Sequence, residues 1–230
     1  MDFRDRHVVI TGGAGALGTA LVGALIEAGA TCHVPCMDEA EAQRFALRAN
    51  KQVKLVVTGS LTDEAAVSRL YQPISPLWAS IHLAGGFAAG ALRETSAATI
   101  HQQIDMNLMS CLLCCRAAVT AMTAGGRIVN VAARAALEWR SGAGMVAYTA
   151  SKAAVAALTA ALAEEGAKDG ILVNAVAPSI MDTPANRKSM PKANYDLWPK
   201  VDEVAATIMF LASPENRVTR GAVVPVYGKS

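Results

Sequence analysis

Tyr148 and Lys152 lie four residues apart in the chain, a spacing that places both side chains on one face of a helix. A nearby cation favours the phenolate form of a tyrosine, so Lys152 is expected to lower the pKa of Tyr148 from about 10 toward neutrality. A tyrosine with such a pKa can give or take a proton as a general acid or base. The pair predicts a proton-transfer centre, although Tyr and Lys at this spacing also occur together by chance.

A second candidate site is the glycine-rich turn Thr11-Gly12-Gly13-Ala14-Gly15-Ala16-Leu17-Gly18, which follows a short apolar strand and precedes a helix. Gly12 permits the tight turn, the missing Cβ of Gly15 lets backbone approach a pyrophosphate, and Gly18 lets the helix pack on the sheet. The helix N-terminus adds free N–H groups and the positive end of the helix dipole. Placed after the first strand of a βαβ pattern, this turn predicts a dinucleotide site.

Strands and helices alternate along the whole chain. Strands are predicted at 7–10, 30–36, 54–58, 79–83, 127–131, 172–176 and 222–226, and helices at 19–28, 63–70, 99–122, 147–167 and 201–211. Because the strands are almost entirely apolar, they indicate a parallel sheet covered on both faces. We therefore predict one α/β domain over residues 1–230, a Rossmann-type doubly wound parallel sheet in three layers, αβα. Residues 179–200 follow the carboxyl end of a strand, where ligands bind in such sheets, and are predicted to form a substrate lid.

Composition excludes several classes of function. The formal net charge is only +2 and the basic residues are scattered, so no nucleic-acid partner is expected. The charged N-terminus is not a signal peptide and no stretch is interpreted as a membrane span, which predicts a cytoplasmic protein without a membrane partner. The five cysteines are expected to be reduced thiols. Cys111, Cys114 and Cys115 are assigned to a buried helix face and no metal site is predicted, because no second Cys/His cluster completes four ligands.

The end of the second strand does not indicate whether NAD or NADP is bound. An acidic residue there would bind the ribose of NAD, and a basic one would bind the phosphate of NADP. This strand end offers Cys36 and Met37, which are uncharged, and then Asp38. Asp38 could reach the ribose, but it also suits a helix N-cap, which is the favoured interpretation. The choice between NAD and NADP stays open.

Further motifs follow in order along the chain. They are Leu83-Ala84-Gly85 at the end of a strand, Met106-Asn107-Leu108 in a helix, and Asn174-Ala175-Val176-Ala177-Pro178 followed by Thr183. With the glycine turn and the Tyr148–Lys152 pair, they make the chain similar to the short-chain dehydrogenase/reductase family over essentially its full length. The resemblance implies an NAD(P)-dependent oxidoreductase that acts on a small molecule.

The resemblance also implies roles for individual residues. Tyr148 would exchange a proton while the nicotinamide passes hydride, Lys152 would lower the pKa of Tyr148 and bond the nicotinamide ribose, and Asn107 would hold a water in a proton relay. Asn107 could instead be a polar residue that interrupts its helix, and Thr183, followed by Pro184, also suits a helix N-cap. The implied cofactor-binding residues are Thr11, Gly12, Gly15, Leu17, Gly18, Ala84, Gly85, Lys152, Pro178 and Thr183.

The chain departs from the family pattern at two places. Ala16 stands where the family usually has glycine. More importantly, the family places a serine shortly after the Asn that ends the fifth strand, and this chain has Ala132 and Ala133 there. The loss of such a hydrogen-bond donor typically costs about 10²–10³ in rate. Ser141, in the loop before Tyr148, is one possible substitute.

Within the family the chain is similar to the quinoid dihydropteridine reductases, which also use Tyr and Lys without that serine. The shared segments are 13–18, 84–90, 133–137 and 182–190 with Pro191, although Phe87 stands where those enzymes have a tryptophan near the pterin. A quinonoid ring already conjugated to nitrogen can accept hydride with less help from an oxyanion donor. These residues are compatible with a quinonoid pterin-like substrate. They are equally compatible with common descent from such an enzyme followed by a change of substrate.

The helix that carries the pair also predicts an assembly. Residues 153–163 contain no charge and are apolar on every face, so both faces should be covered. A homodimer or homotetramer through this helix is expected, in agreement with the family resemblance. The alternative function, from another class, is a cofactor-binding sensor or scaffold with this fold and little turnover.

Overall fold

A computed structural model describes residues 1–230 and contains one parallel sheet of seven strands. The strands are β1 (His7–Thr11), β2 (Thr31–Cys36), β3 (Val53–Val57), β4 (Leu77–His82), β5 (Gly126–Val131), β6 (Ile171–Pro178) and β7 (Val223–Val226). Their order across the sheet is β3-β2-β1-β4-β5-β6-β7. The order reverses between β1 and β4, which leaves a crevice at their carboxyl ends, the usual ligand position in open α/β sheets.

Helices cover both faces of the sheet. They are α1 (Ala16–Glu27), α2 (Glu39–Arg44), α3 (Glu64–Tyr71), α4 (Ala97–Ile104), α5 (Ser110–Ala121), α6 (Arg134–Leu137), α7 (Val146–Glu165), α8 (Pro184–Ser189) and α9 (Val201–Ala212). Val8 and Ile10 of β1 belong to a core shared with α1 and α9, whereas Val9 belongs to a second core shared with α3, α5 and α7. Adjacent β1 side chains therefore enter opposite cores, which explains why the strand is apolar throughout. The predicted fold class, a three-layer αβα sheet, is confirmed.

The structure divides the predicted helix at 99–122. α4 ends at Ile104, a π-helical turn spans Asp105–Met109, and α5 continues from Ser110. A π turn inserts one extra residue per turn and changes the direction of the side chains that follow it. The short helix α2 is not among the predicted helices, but the favoured interpretation of Asp38 as a helix N-cap is confirmed, because its carboxylate accepts a hydrogen bond of 2.7 Å from Glu41 N at the start of α2.

Two helical stretches, Ala97–Ala121 and Val146–Glu165, are long and apolar enough to cross a membrane by length and composition alone. This is weak evidence, because a core helix of a globular protein passes the same test. In both stretches an inner face packs on the sheet, through Cys111 and Cys115 in the first and Val155 and Ala163 in the second. The expectation of no membrane partner stays a prediction.

Gly18 and Gly23 provide a stability test within α1. A Cβ added at Gly18 would lie 2.5 Å from Gly13 Cα and closer still to Gly12 O, whereas one at Gly23 would meet only Leu47 Cδ1, at 4.0 Å. We expect Gly18→Ala to lower the free energy of unfolding by about 1–3 kcal/mol, because backbone atoms must move. The matched control Gly23→Ala should raise it by about 0.5–1 kcal/mol through helix propensity. Urea unfolding monitored by circular dichroism measures both, and equal effects would contradict the predicted close packing of the turn.

Candidate active site

Tyr148 and Lys152 both lie near the start of α7, where the helix leaves the carboxyl edge of the sheet. The ring of Tyr148 is half-buried and packs edge-on against Phe87, with centroids 5.0 Å apart and an interplanar angle of 81°. Lys152 is buried, and its Nζ donates a hydrogen bond of 2.8 Å to the carbonyl of Val131, at the end of β5. The backbone of β5 therefore holds the lysine amine in place.

The protonation of the pair differs from the prediction. Burial raises the pKa of Tyr148 to about 12, and it lowers the pKa of Lys152 to about 8, because both charged forms are desolvated. The expected lowering of the Tyr148 pKa by Lys152 is thus wrong for the protein alone. The physical reason is that desolvation dominates at Tyr148, while the Lys152 amine bonds Val131 and is itself less basic than usual.

Asn107 lies in the π turn and joins three parts of the site. Its Oδ1 accepts a hydrogen bond of 3.0 Å from Gly86 N, and its Nδ2 donates to Gly86 O at 3.0 Å and to Ser151 Oγ at 3.2 Å. The backbone at Gly85 is equally close, since a Cβ there would lie 2.6 Å from Asn107 Oδ1 and 3.3 Å from Lys152 Nζ. Asn107 therefore positions the loop after β4 against α7. Its role in holding a water stays a prediction.

The glycine turn lies beside this loop. Gly12 has a φ of +66°, and a Cβ there would lie 2.8 Å from Ala84 N, so only glycine fits the close approach of the two loops. Ala84 N also donates to Thr11 Oγ1, at 3.2 Å. The predicted residues Thr11, Gly12, Ala84 and Gly85 are thus brought together at the ends of β1 and β4.

The start of α1 is open for an anionic group. Gly15 is the N-cap of α1, no side chain caps the helix there, and both Gly15 and Ala16 are exposed. The first N–H groups of the helix, which include that of Leu17, have no partner within the helix. These groups and the positive end of the helix dipole form a cradle that fits a pyrophosphate. A Cβ at Gly15 would point toward Gly12 O at 3.3 Å.

The predicted lid begins directly after Pro178, the last residue of β6, and it contains α8. Thr183 caps α8, because its Oγ1 accepts a hydrogen bond of 3.2 Å from Asn186 N. Asp182 bridges to Arg187 at 2.6 Å and to Lys200 at 2.5 Å, so it ties the two ends of the segment together. These ion pairs hold the Asp182 pKa well below its usual range. The function of the segment as a lid, and contacts of Pro178 and Thr183 with a cofactor, stay predictions.

The structure provides no evident replacement for the missing serine. Ala132 and Ala133 are buried at the expected place. The hydroxyl of Ser141 donates to Glu138 O at 2.7 Å, so its hydrogen is already used within its own turn. Tyr148 is therefore the one side-chain O–H donor among the predicted catalytic residues.

Sequence reasoning missed Gln103, which lies one helical turn before Asn107. Gln103 is 2% exposed, and its Oε1 has no hydrogen-bond partner. It lines a cavity of about 190 Å³ between the loop at 88–90 and the start of α7. No motif indicated it, because its position depends on how the chain folds between α4 and α7.

Comparisons with known proteins agree with this geometry. Residues 6–194 match the family model of short chain dehydrogenases. The chain is 34% identical to galactitol 2-dehydrogenase of Rhizobium johnstonii, over 96% of this chain and 93% of the relative. It is 33% identical to cis-4-hydroxycyclohexanecarboxylate dehydrogenase of Sinomonas cyclohexanicum, over 98% of this chain and 96% of the relative. It is also 35% identical to dihydropteridine reductase of Dictyostelium discoideum, over 64% of each chain.

Solved structures share the fold. The structure of ElxO with NADP bound superposes with a TM-score of 0.88 and covers 97% of this chain and 97% of that chain, at 24% sequence identity. This likeness supports the architecture of the sheet and its flanking helices.

The buried amine of Lys152 gives a stability prediction. Between pH 8 and 10.5 the unfolded chain binds the Lys152 proton and the folded chain does not, so wild-type stability should rise with pH in this window. Below pH 8 the full cost of burying the charge is present. Lys152→Met, which has no charge to bury, should therefore be the more stable protein at pH 7, by an amount on the order of 2–3 kcal/mol.

The advantage of Lys152→Met should shrink steadily as pH rises toward 10.5, because the wild-type amine becomes neutral in both states. Urea unfolding of both proteins at several pH values gives the difference directly, and the titration of groups that do not interact with Lys152 cancels. A difference in stability that stays constant from pH 7 to 10 would show that the amine is not desolvated.

Proposed function

The chain belongs to the short-chain dehydrogenase/reductase family and is an oxidoreductase, and we propose that it transfers hydride between NAD(P) and a small carbonyl, alcohol or quinonoid substrate. One observation carries the proposal. Lys152 and Asn107 both approach Gly85, beside the glycine turn that the cofactor needs, and the Tyr148 ring packs on Phe87 of the same loop. A protein that only binds a nucleotide has little use for a tyrosine O–H next to a buried amine.

The open end of α1 supports a dinucleotide as cofactor. Its first N–H groups would hold the pyrophosphate, and Gly12 and Gly15 leave the space that side chains would fill. The bound nicotinamide supplies or accepts the hydride. The family resemblance implies that the Lys152 amine would leave Val131 O and bond the ribose, and that Pro178 and Thr183 would border the nicotinamide.

We infer that NAD is preferred over NADP. The segment after β2 carries three carboxylates, Asp38, Glu39 and Glu41, and Glu41 accepts a hydrogen bond of 2.6 Å from Met37 N. The extra phosphate of NADP would face these negative charges, whereas ribose hydroxyls can donate hydrogen bonds to a carboxylate.

Tyr148 is proposed as the acid that protonates the substrate. With a pKa of about 12 in the protein alone, it holds its proton at neutral pH and is ready to donate it. In the reduction, hydride forms a bond to one end of the substrate double bond, the π electrons move to the oxygen or nitrogen at the other end, and the Tyr148 proton neutralises that atom. Lys152 would restore the proton through the relay that contains Asn107.

The missing serine favours a quinonoid, pterin-like substrate. A simple ketone develops a full negative charge on one oxygen, and two donors usually stabilise it. A quinonoid ring spreads that charge over a conjugated nitrogen system and depends less on a second donor. The relative from Dictyostelium discoideum is a dihydropteridine reductase, whereas the relatives matched over nearly the whole chain are dehydrogenases of alcohols, so a changed substrate is the second candidate.

The activity test is a titration with NADH and NADPH, followed by reduction of a panel that contains simple ketones and quinonoid dihydropterin. We expect tighter binding of NADH than of NADPH, because of the carboxylates after β2. We also expect turnover of the dihydropterin, because Tyr148 is the one side-chain O–H donor among the predicted catalytic residues. Tyr148→Phe should lower kcat by a factor of about 10²–10⁴, through loss of the proton donor, with cofactor binding nearly unchanged. Oxidation of NADH by ketones but not by dihydropterin would reject the pterin-like substrate.

The same variant separates the enzyme from the sensor or scaffold. If the wild-type protein binds NADH but turns over no substrate in either direction, Tyr148→Phe has no activity to remove. That result would support the alternative function, a cofactor-binding sensor or scaffold. If neither dinucleotide binds, the whole proposal fails.

We also propose that a second copy of the chain covers the outer face of α7. Ala150, Ala157, Ala160 and Ala161 are exposed there, and α7 exposes no charged side chain before Glu164. A helix exposed to water normally carries a polar outer face, so this surface suits a homodimer or homotetramer.

Sedimentation at micromolar concentration tests the assembly. Wild-type protein should sediment as a dimer or tetramer, and Ala157→Glu should shift it to smaller species, because a carboxylate would be buried in the interface. Ala65→Glu is the matched control, since Ala65 is equally exposed on α3, outside the proposed surface. A monomeric wild type, or equal effects of the two variants, would contradict the proposal.

A further inference from the structure

A buried cluster of His82, Cys111, Cys115 and Asn130 lies where α5 packs on β4 and β5. One ligand atom from each of His82, Cys111 and Cys115 lies within 4.8 Å of the others, and all three residues are buried. Asn130 Oδ1 lies 2.8 Å from His82 Nδ1, 3.3 Å from Cys111 Sγ and 3.5 Å from Cys115 Sγ. Neither the fold nor the proposed hydride transfer requires these four residue types to converge.

The four atoms have the spacing of a tetrahedral metal site. Zinc with nitrogen and sulfur ligands at about 2.0–2.3 Å gives distances between ligand atoms of about 3.3–3.8 Å. Here the sulfurs of Cys111 and Cys115 lie 3.9 and 3.5 Å from His82 Nδ1, and the oxygen lies 3.3 and 3.5 Å from the two sulfurs. The distance of 2.8 Å between His82 Nδ1 and Asn130 Oδ1 would have to lengthen by a few tenths of an ångström, and that of 3.9 Å between Cys111 Sγ and His82 Nδ1 would have to shorten slightly. The two sulfurs lie within 4.8 Å of each other.

Neighbouring groups fix the direction of the asparagine. Thr159 Oγ1 donates to Val155 O at 2.8 Å, so it must accept the hydrogen bond of 2.9 Å from Asn130 Nδ2. The amide oxygen of Asn130 therefore points into the cluster.

His82 has a partner on its other ring nitrogen. Its Nδ1 lies 2.8 Å from Asn130 Oδ1, an oxygen that only accepts, so without an ion Nδ1 carries the hydrogen and donates it. An ion would replace that hydrogen bond: the proton moves to Nε2, which lies 2.8 Å from Ser80 Oγ and can donate to it, and the Nδ1 lone pair then faces the cluster. A metal-ligating histidine almost always donates its second nitrogen in this way.

The charges also suit a divalent cation. Two cysteine thiolates neutralise a 2+ ion, while histidine and asparagine are neutral, so the occupied site carries no net charge and can be buried. Thiolate and imidazole ligands select zinc and similar soft ions rather than magnesium or calcium. The third cysteine of α5, Cys114, lies outside the group of candidate ligands, although it is buried.

We propose that His82, Cys111, Cys115 and Asn130 form a structural site for a zinc-like divalent cation. The ion binds two side chains of α5, His82 of β4 and Asn130 of β5, and so fixes the helix to the centre of the sheet. Val131, which holds the Lys152 amine, is the next residue after Asn130, so the site stabilises the strand end on which the active site is built. The ion takes no part in hydride transfer, and the proposal does not depend on the proposed function.

The test uses the full chain, purified with a non-thiol reductant and without chelators, and measures bound zinc by mass spectrometry. Because the site is enclosed, the chain is also unfolded and refolded with Co²⁺ under anaerobic conditions. We expect close to one metal ion per chain, a thiolate-to-Co²⁺ charge-transfer absorption, and a higher thermal midpoint with metal than without it.

Cys111→Ser and Cys115→Ser should abolish the charge-transfer absorption and weaken Co²⁺ binding at least tenfold. Cys114→Ser is the matched control from the same helix and should keep both, as should Cys32→Ser in β2. The wild-type protein alone can overturn the proposal, even if a variant does not fold. A refolded wild type with no thiolate absorption and less than a tenth of an equivalent of bound metal would show that the cluster is only a hydrogen-bonded core.

Discussion

The close approach between the turn after β1 and the loop after β4 is the constraint on which the site depends. Gly12 tolerates a distance of 2.8 Å between its missing Cβ and Ala84 N because it has no side chain. The approach brings the open end of α1 next to Gly85, and Gly85 in turn contacts Asn107 and Lys152. A larger residue at Gly12 or Gly85 would separate the phosphate cradle from the proton-transfer residues, although the cradle and the proton-transfer residues would each remain intact.

Burial has opposite consequences for stability and for reactivity at this site. Lys152 is held by a single carbonyl in a desolvated position, which costs folding free energy while its amine is charged. The same desolvation keeps the proton on Tyr148, since a phenolate would be poorly solvated there.

Much of this organisation could be predicted from the sequence. The alternation of apolar strands with helices predicted a sheet between two layers of helices. A strand such as β1 is apolar along its whole length only where both faces of the sheet are covered. The π turn at Asn107 could not be predicted, since it depends on hydrogen bonds to Gly86 and Ser151, which are distant in sequence. The predicted lowering of the Tyr148 pKa was wrong, because the spacing of two residues along a helix gives no information about how deeply the tyrosine is buried. Cys115 and His82 are also 33 residues apart, and only the packing of α5 on β4 brings them together.

The absent serine and the high pKa of Tyr148 point to the same kind of chemistry. A donor that holds its proton at neutral pH transfers it only to an acceptor atom that has become basic. A ketone oxygen reaches that basicity only with a full negative charge, which this site, with alanines at 132 and 133, does little to stabilise. A ring nitrogen in a quinonoid system becomes basic without carrying an isolated charge. These are the physical grounds on which we propose a substrate whose own conjugation replaces the missing donor, rather than one that requires an oxyanion hole.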